Sequence, residues 1–231
     1  MELRITGLDH GDLHLRNLRF AFPVKVWVEE GTCGLSMAGF TRTVRAHDCR
    51  QVAPLEMVSL SISRRARLKL GRLDMPLLNQ PTTTGREAEN GSFPASSFGL
   101  GHGDFLRKPL TMKLAAAVFG APHLEWRLAS AATLTSVFEG QNIARTLLQE
   151  GECFRQIVLM QRLMRFLFDL SARGTGGPAS TEYGFTDRCS LENATHDQFC
   201  ISPASLSEML DPQGRRRREQ QLDRYASLAP I

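Results

Sequence analysis

Residues 126–170 read WRLASAATLTSVFEGQNIARTLLQEGECFRQIVLMQRLMRFLFDL, and this stretch decides the fold. Beyond Gly151, Phe154, Ile157, Val158, Leu163, Met164, Leu167 and Phe168 recur at spacings of three and four, which is one apolar face of a long helix. Upstream, Gln141–Glu150 has a helical composition and is stopped by Gly151. Leu124–Leu134 reads as the helix before it. The stretch therefore predicts a compact helical unit feeding a long helix over Phe154–Leu170, which carries Arg155, Arg162 and Arg165. Such an arrangement suits the surface of DNA.

The helical pattern extends in both directions from this stretch. LTMKLAAAVFG (110–120) is a strong helix former, closed by Gly120 and followed by Pro122. On the other side, RGTGGP (173–178) breaks the chain. A short helix is expected over Ala179–Tyr183, a turn at Gly184-Phe185 and a further helix over Cys189–Phe199, with ISPASLSEML following. Residues 1–72 have a different period. Val24, Val26 and Val28 alternate in FPVKVWV, Glu29-Glu30-Gly31 signals a turn, and Val58, Leu60 and Ile62 alternate in MVSLSI. Cys33–Phe40 and Thr41–Val44 are β-prone, and His47-Asp48 reads as a turn. A small antiparallel sheet or barrel is expected here. Residues 74–104 are rich in Pro, Gly, Ser, Thr and Asn and read as a linker or long loop. The expected organisation is thus α+β: a β-rich unit over 1–73, the linker over 74–104, an all-α unit over 105–211, and a polar, arginine-rich tail over 212–231.

Composition limits the function classes without selecting one. The chain has 231 residues and a formal net charge of +4, so charge alone does not announce nucleic acid. Lys25, Lys69, Lys108 and Lys113 are the only lysines among 28 basic residues; the rest are arginine, whose planar fork suits phosphates and guanine edges. The two halves of the chain each carry a small positive excess, so a DNA-binding face must come from local arrangement. The five cysteines are odd in number and form no CxxC pair, which disfavours a disulfide framework or zinc site and fits a reducing cytoplasm. No signal peptide, membrane span or cofactor is expected.

Three ordered motifs in the helical half resemble the DNA-binding domain of the AraC/XylS family of transcription regulators, in its acid-resistance and virulence branch. Ala121–Leu128, APHLEWRL, resembles the family's opening of the first helix-turn-helix. Leu147–Arg162, LLQEGECFRQIVLMQR, resembles the run that ends the first recognition helix and opens the linker helix. Tyr183–Asp187 followed by Phe199–Pro203 resembles the second motif. The resemblance covers about residues 106–210. It implies an all-α domain with two helix-turn-helix units joined by the linker helix, behind a short cupin-like regulatory domain. The implied function is sequence-specific, promoter-directed DNA binding in the bacterial cytoplasm, associated with the nucleoid. It further implies activation, contacts with RNA polymerase, a homodimer, and an effector that the sequence does not name.

The physical reading of the residues runs beside that resemblance. In the first unit, Leu128, Ala131, Ala132 and Leu134 are expected to form a supporting face, to which Ile143 and Leu147 pin the recognition helix. Gln141, Asn142, Ala144, Arg145 and Thr146 are then left toward the groove. Arg145 is the principal candidate, since arginine can bond guanine O6 and N7 together. In the second unit Leu191 faces inward, and Arg188, Cys189, Glu192 and Asn193 face out; by the family pattern these read bases. Arg155, Arg162 and Arg165 on the linker helix are candidates for phosphates, which position without specifying. A helix from Phe154 to Leu170 spans about 25 Å, suited to setting two recognition helices roughly 34 Å apart in successive major grooves.

The second unit departs from the family pattern. Ala179-Ser180 replaces an Ile-Ala pair, Thr195 stands where a core phenylalanine is usual, Cys200 replaces a glycine, and RGTGGP shortens the preceding helix. The alternative function is accordingly a protein-interaction regulator whose degenerate second unit has lost specific DNA binding. No catalytic or metal site is expected. His10 and His14 are separated by Gly11 in strand-like surroundings, His47-Asp48-Cys49 lacks a third catalytic group, and GLGHGDF (99–105) lacks the Lys-Ser/Thr of a phosphate loop. Arg215–Arg218 is a charged run equally suited to solvent and to phosphate.

Overall fold

The computed structural model describes residues 1–8, 12–73, 108–129, 131, 142–173 and 179–210. Its first part is two four-stranded antiparallel sheets. One holds β1 (Glu2–Thr6), β8 (Arg67–Arg72), β3 (Val24–Glu30) and β6 (Cys49–Val52), in that order; the other holds β2 (Leu13–Arg19), β7 (Met57–Ile62), β4 (Thr32–Met37) and β5 (Phe40–Arg45). The strands form because alternate residues can be buried while the others stay wet. Leu3 and Ile5, then Val24, Val26 and Val28, then Leu68 and Leu70 point inward from the first sheet. Leu13, Leu15 and Leu18, Cys33 and Leu35, and Val58, Leu60 and Ile62 do so from the second. Cys33 is buried with them, and that burial pushes its thiol pKa up to about 12, so it packs as an apolar group.

The strands expected at 24–28 and 57–62 are present, as is the turn at His47, which has a positive φ of 68°. Cys33–Phe40 and Thr41–Val44 are the two sides of one hairpin, β4 and β5, paired from Thr32↔Arg45 to Met37↔Phe40. β1, β2, β6 and β8 complete the sheets.

The second part is helical: α1 (Pro109–Gly120), α2 (Ile143–Gln149), α3 (Phe154–Arg173), a 3₁₀ turn (Ser180–Tyr183), α4 (Arg188–Phe199) and α5 (Pro203–Leu210). The periodic apolar face expected on the long helix is buried: Ile157, Val158, Leu163, Met164, Leu167 and Phe168 all lie inside. The helix runs on to Arg173. One expectation holds only in part. The described residues from Leu124 to Ala129 are turn and irregular chain, whereas Ala131 is helical, so the helix expected over Leu124–Leu134 does not begin at Leu124. The reason is a competing set of partners. The Leu124 carbonyl, which a helix over Leu124–Leu134 would bond internally, accepts instead from Arg162 at 2.9 Å, and the Pro122 carbonyl before it accepts from the same guanidinium at 3.1 Å. The Trp126 indole, itself buried, donates back to the Ala121 carbonyl at 2.9 Å. Ala132 and Leu134, the linker over 74–104 and the tail over 212–231 lie outside the described residues.

The two parts share one apolar core. α3 packs on β1 and β2, α4 on β2 and α5 on β1. Phe20 and Phe22, just past β2, meet Phe119 of α1 and Phe168 of α3 edge-on, with ring centroids 5.0–6.4 Å apart. Polar contacts frame this cluster. Buried Gln161 of α3 donates to the Arg19 carbonyl at 3.0 Å. Asn17 sits at the bulge in β2 with φ 57°, and its amide donates to the Gln198 carbonyl near the end of α4 at 3.3 Å.

Candidate nucleic-acid interface

Helix α2 is short and fixed at both ends. Asn142 caps its N-terminus, its side-chain oxygen accepting from the Arg145 backbone N–H at 3.1 Å. Gly151 ends it in the left-handed region at φ 71°, where a side chain would be strained. Ile143 and Leu147 are buried, so the helix is pinned by the face expected. Asn142, Ala144 and Arg145 are exposed, and Thr146 is half-buried. Gln141 and the residues just before it lie outside the described residues. Ala131 is buried, whereas Leu128 is exposed and takes no part in a supporting face. Leu128 belongs to the turn-rich segment held by Arg162, so no helical face directs it inward.

Two residues of this face were missed by the sequence reading: Leu148, 79% exposed, and Gln149. The signal was available, since Leu148 and Gln149 follow Arg145 by three and four positions and therefore share its side of the helix.

The acidic residues that follow α2 are both turned into the protein. Buried Glu150 accepts from the Leu110 and Thr111 backbone N–H groups at 3.0 and 2.8 Å, and from the Thr111 hydroxyl. It thus caps the first turn of α1, whose own N-cap residue, Lys108, supplies no side-chain bond. Glu152 is gripped by both η nitrogens of Arg19 from β2, one at 2.8 Å, and by Lys108 at 2.8 Å. Burial alone would raise the Glu152 pKa, but Arg19 and then Lys108 outweigh it and hold the carboxyl below its ordinary value. Arg145 is left with no carboxylate partner among the described residues.

Arg155, Arg162 and Arg165 of α3 have different roles. Arg155 is exposed. Arg162 is directed inward: besides Pro122 and Leu124, it donates to the Gly184 carbonyl at 3.2 Å. A single guanidinium therefore fastens the approach to the first unit and the turn of the second onto α3. Removal from water lowers its pKa, with no carboxylate to offset this. Gly184 accommodates the arrangement, having φ 71° and a position where a Cβ would lie 2.5 Å from the guanidinium. Arg165 pairs with Asp169 at 2.9 Å and lies over the Phe119 ring.

Helix α4 is capped at its start and anchored by its apolar residues. Asp187 caps α4, accepting from the Ser190 N–H at 2.7 Å, and its pKa is lowered by that bond and by the Thr186 and Ser190 hydroxyls. Leu191 is buried. Tyr183, rather than half-buried Phe185, fills the core beside the turn; its hydroxyl donates to Asp169 at 3.0 Å. Arg188, Cys189 and Asn193 are exposed and Glu192 half-exposed. Arg188 donates to Glu192 at 2.7 Å across one turn of this face. Of the departures from the pattern that the second motif resembles, Thr195 and Cys200 have a local account, while residues 174–178 of RGTGGP lie outside the described residues. Buried Thr195 returns its hydroxyl to the Leu191 carbonyl at 2.7 Å. Cys200, at φ 58°, ends α4 in the left-handed conformation that glycine adopts freely.

This architecture has a known counterpart. The chain has the fold of ToxT. Superposed on ToxT from Vibrio cholerae strain SCE256 with an unsaturated fatty acid bound, it gives a TM-score of 0.58 at 11% identity, covering 90% of this chain and 94% of that one. ToxT from V. cholerae O395 gives 0.56 at 11% identity, covering 90% and 96%. The O395 protein bound to (E)-4-(8-methylnaphthalen-1-yl)but-3-enoic acid gives 0.53 at 11%, covering 90% and 97%. No protein-family model and no curated protein sequence matches the chain. Among the described residues, no three His, Cys, Asp or Glu side chains group as metal ligands, and no helix is long and apolar enough to cross a membrane.

Proposed function

We propose that this chain is a sequence-specific DNA-binding transcription regulator of the AraC/XylS type, acting by binding rather than catalysis. Its α2 and α4 are the two recognition helices, entering successive major grooves. The observation that carries the reading is the exposed face of α2. Arg145 stands on a capped, pinned helix with no carboxylate partner among the described residues, while Glu150 and Glu152 are turned away and neutralised. A surface so arranged admits a phosphate-lined groove without like-charge repulsion. The fold shared with ToxT, an AraC-family regulator, supports the assignment. Asn142 and Ala144 accompany Arg145 at the bases, with Gln141 and Thr146 at the edges; Arg155 is the linker-helix residue placed for phosphate. The sheet unit is a cupin-like regulatory domain, and activation through RNA polymerase, as a homodimer, is the mode of action proposed. Since ToxT structures hold a fatty acid and a substituted butenoic acid, a carboxylic acid is the effector class to test first.

Anisotropy titration of the full chain against its own upstream promoter DNA tests the reading. Specific binding with a steep salt dependence is expected. Arg145→Ala should cost about 1–3 kcal/mol and relax specificity at one position. Equal binding of all duplexes by wild type and variant refutes the assignment.

One observation favours a second reading for α4 alone. Its exposed surface carries Glu192 and Asp197, and Arg188 is already spent on Glu192. In that reading α2 alone reads DNA, and α4 docks a protein partner. Retention of specificity by Arg188→Ala together with Asn193→Ala would select it.

A further inference from the structure

Leu148 is the most exposed large apolar side chain among the described residues, at 79% exposure, and it lies on α2 one turn beyond Arg145. Ala144, also exposed, precedes it by four positions, so Ala144, Arg145 and Leu148 form one continuous outward surface. Helix α2 already spends Ile143 and Leu147 on the core. Leu148 therefore adds nothing to the packing of its own helix. The charges around it restrict what can cover it. Glu150 is bound to the start of α1 and Glu152 to Arg19 and Lys108, while Arg145 beside it has no carboxylate partner among the described residues. An anionic partner with an apolar spot close to its charge meets both demands. The major groove of duplex DNA supplies both, since thymine places a 5-methyl group there within a phosphate-lined cleft.

We propose that Leu148 is a specificity-determining residue that reads a thymine methyl group next to the base read by Arg145. The inference rests on the DNA-reading assignment of α2 and adds to it a base identity. Because the contact is purely apolar, it distinguishes thymine by its methyl group, not by hydrogen bonds.

The test selects binding sites from a randomised duplex pool with the full-length wild type, Leu148→Ala and Arg145→Ala. The wild-type pool is expected to hold a thymine at one position beside the position that Arg145→Ala relaxes. The Leu148→Ala pool should lose that thymine and keep the rest of the site. Replacing that thymine by deoxyuridine in the selected duplex deletes only the methyl group. It should weaken wild type about fourfold, the value of one buried methyl group, and leave Leu148→Ala unchanged. Identical pools from wild type and Leu148→Ala, or equal loss from deoxyuridine in both proteins, overturns the inference while leaving DNA reading by α2 intact. A wild-type pool with no enriched sequence overturns the DNA-reading assignment and the inference together. Since Leu148 makes no buried contact, equal thermal melting of wild type and Leu148→Ala is the control for folding.

Discussion

Glu152→Gln measures how firmly the sheet part and the helical part are joined at the end of α2. The carboxylate accepts from Arg19 at 2.8 Å and again through the second η nitrogen, and from Lys108 at 2.8 Å. The side chain of Glu152 is 7% exposed and that of Arg19 is 19%, so the Arg19 pair is largely desolvated. Lys108, at 32%, is screened by water and contributes little. Removing one partner of a fully buried pair costs about 3–5 kcal/mol, and a charge-assisted hydrogen bond contributes about 1.5–3 kcal/mol. The amide preserves shape and one acceptor, so a loss of about 2–3 kcal/mol is expected. For a chain of this size that lowers Tm by about 5–10 °C. Calorimetry of wild type, Glu152→Gln, Arg19→Met and the double variant should give a coupling of at least about 1 kcal/mol. The pH dependence has a definite sign. The Glu152 pKa is held below its ordinary 4.5, so its contribution is full above that value and fades as pH falls below it. The difference between wild type and Glu152→Gln should therefore be constant from neutral pH downward and close only in acid. Additive single variants, or a Glu152→Gln protein melting with wild type at neutral pH, would refute the reasoning.

The remaining predictions concern the frame of the two units. Arg162→Lys should lower Tm, by about 1–3 kcal/mol in stability, because one ammonium cannot serve the carbonyls of Pro122, Leu124 and Gly184 together; proteolysis within 121–129 should accelerate in parallel. Cys200→Gly should raise stability by about 0.5–1 kcal/mol, read as a higher urea midpoint at unchanged slope, since glycine removes the left-handed strain at φ 58° but returns part of the gain as chain entropy.

Helices α1 to α4 were legible because each carries its own signal. α1 has its alanine-rich run and Gly120, α3 its apolar period, α2 the stop at Gly151, and α4 the preceding turn at Gly184-Phe185; the caps Asn142 and Asp187 and the helix α5 were not read. The strands without such signals were less so. β8, RLKLGR, alternates only two leucines among charges, and becomes a central strand because β1 and β3 pair on either side of it. The segment 124–129 was misread as helical because its deciding partner, Arg162, is distant in sequence. The site was half legible for the same reason. Which face of α2 is exposed follows from local spacing. That Glu150 leaves this face to cap α1, and that Glu152 leaves it for Arg19, depends on groups that are about 40 and 133 residues away.

The two units also differ in how they dispose of acidic charge, and this difference orders their expected contributions. The two carboxylates that follow α2, Glu150 and Glu152, have partners in the protein that DNA would not displace, because freeing Glu150 would orphan the first turn of α1. Around α4 the carboxylates remain at the surface. Asp187 is committed to its cap, Glu192 lies against Arg188, and Asp197 faces solvent. The Arg188–Glu192 pair is exposed, so breaking it costs no more than about 1 kcal/mol. Arg188 can therefore be released to a phosphate or guanine, but only by leaving Glu192 uncompensated beside the backbone. That repulsion falls as salt rises, opposite to the attraction that Arg145 and Arg155 exert. Contacts at α4 should consequently weaken less steeply with salt than contacts at α2.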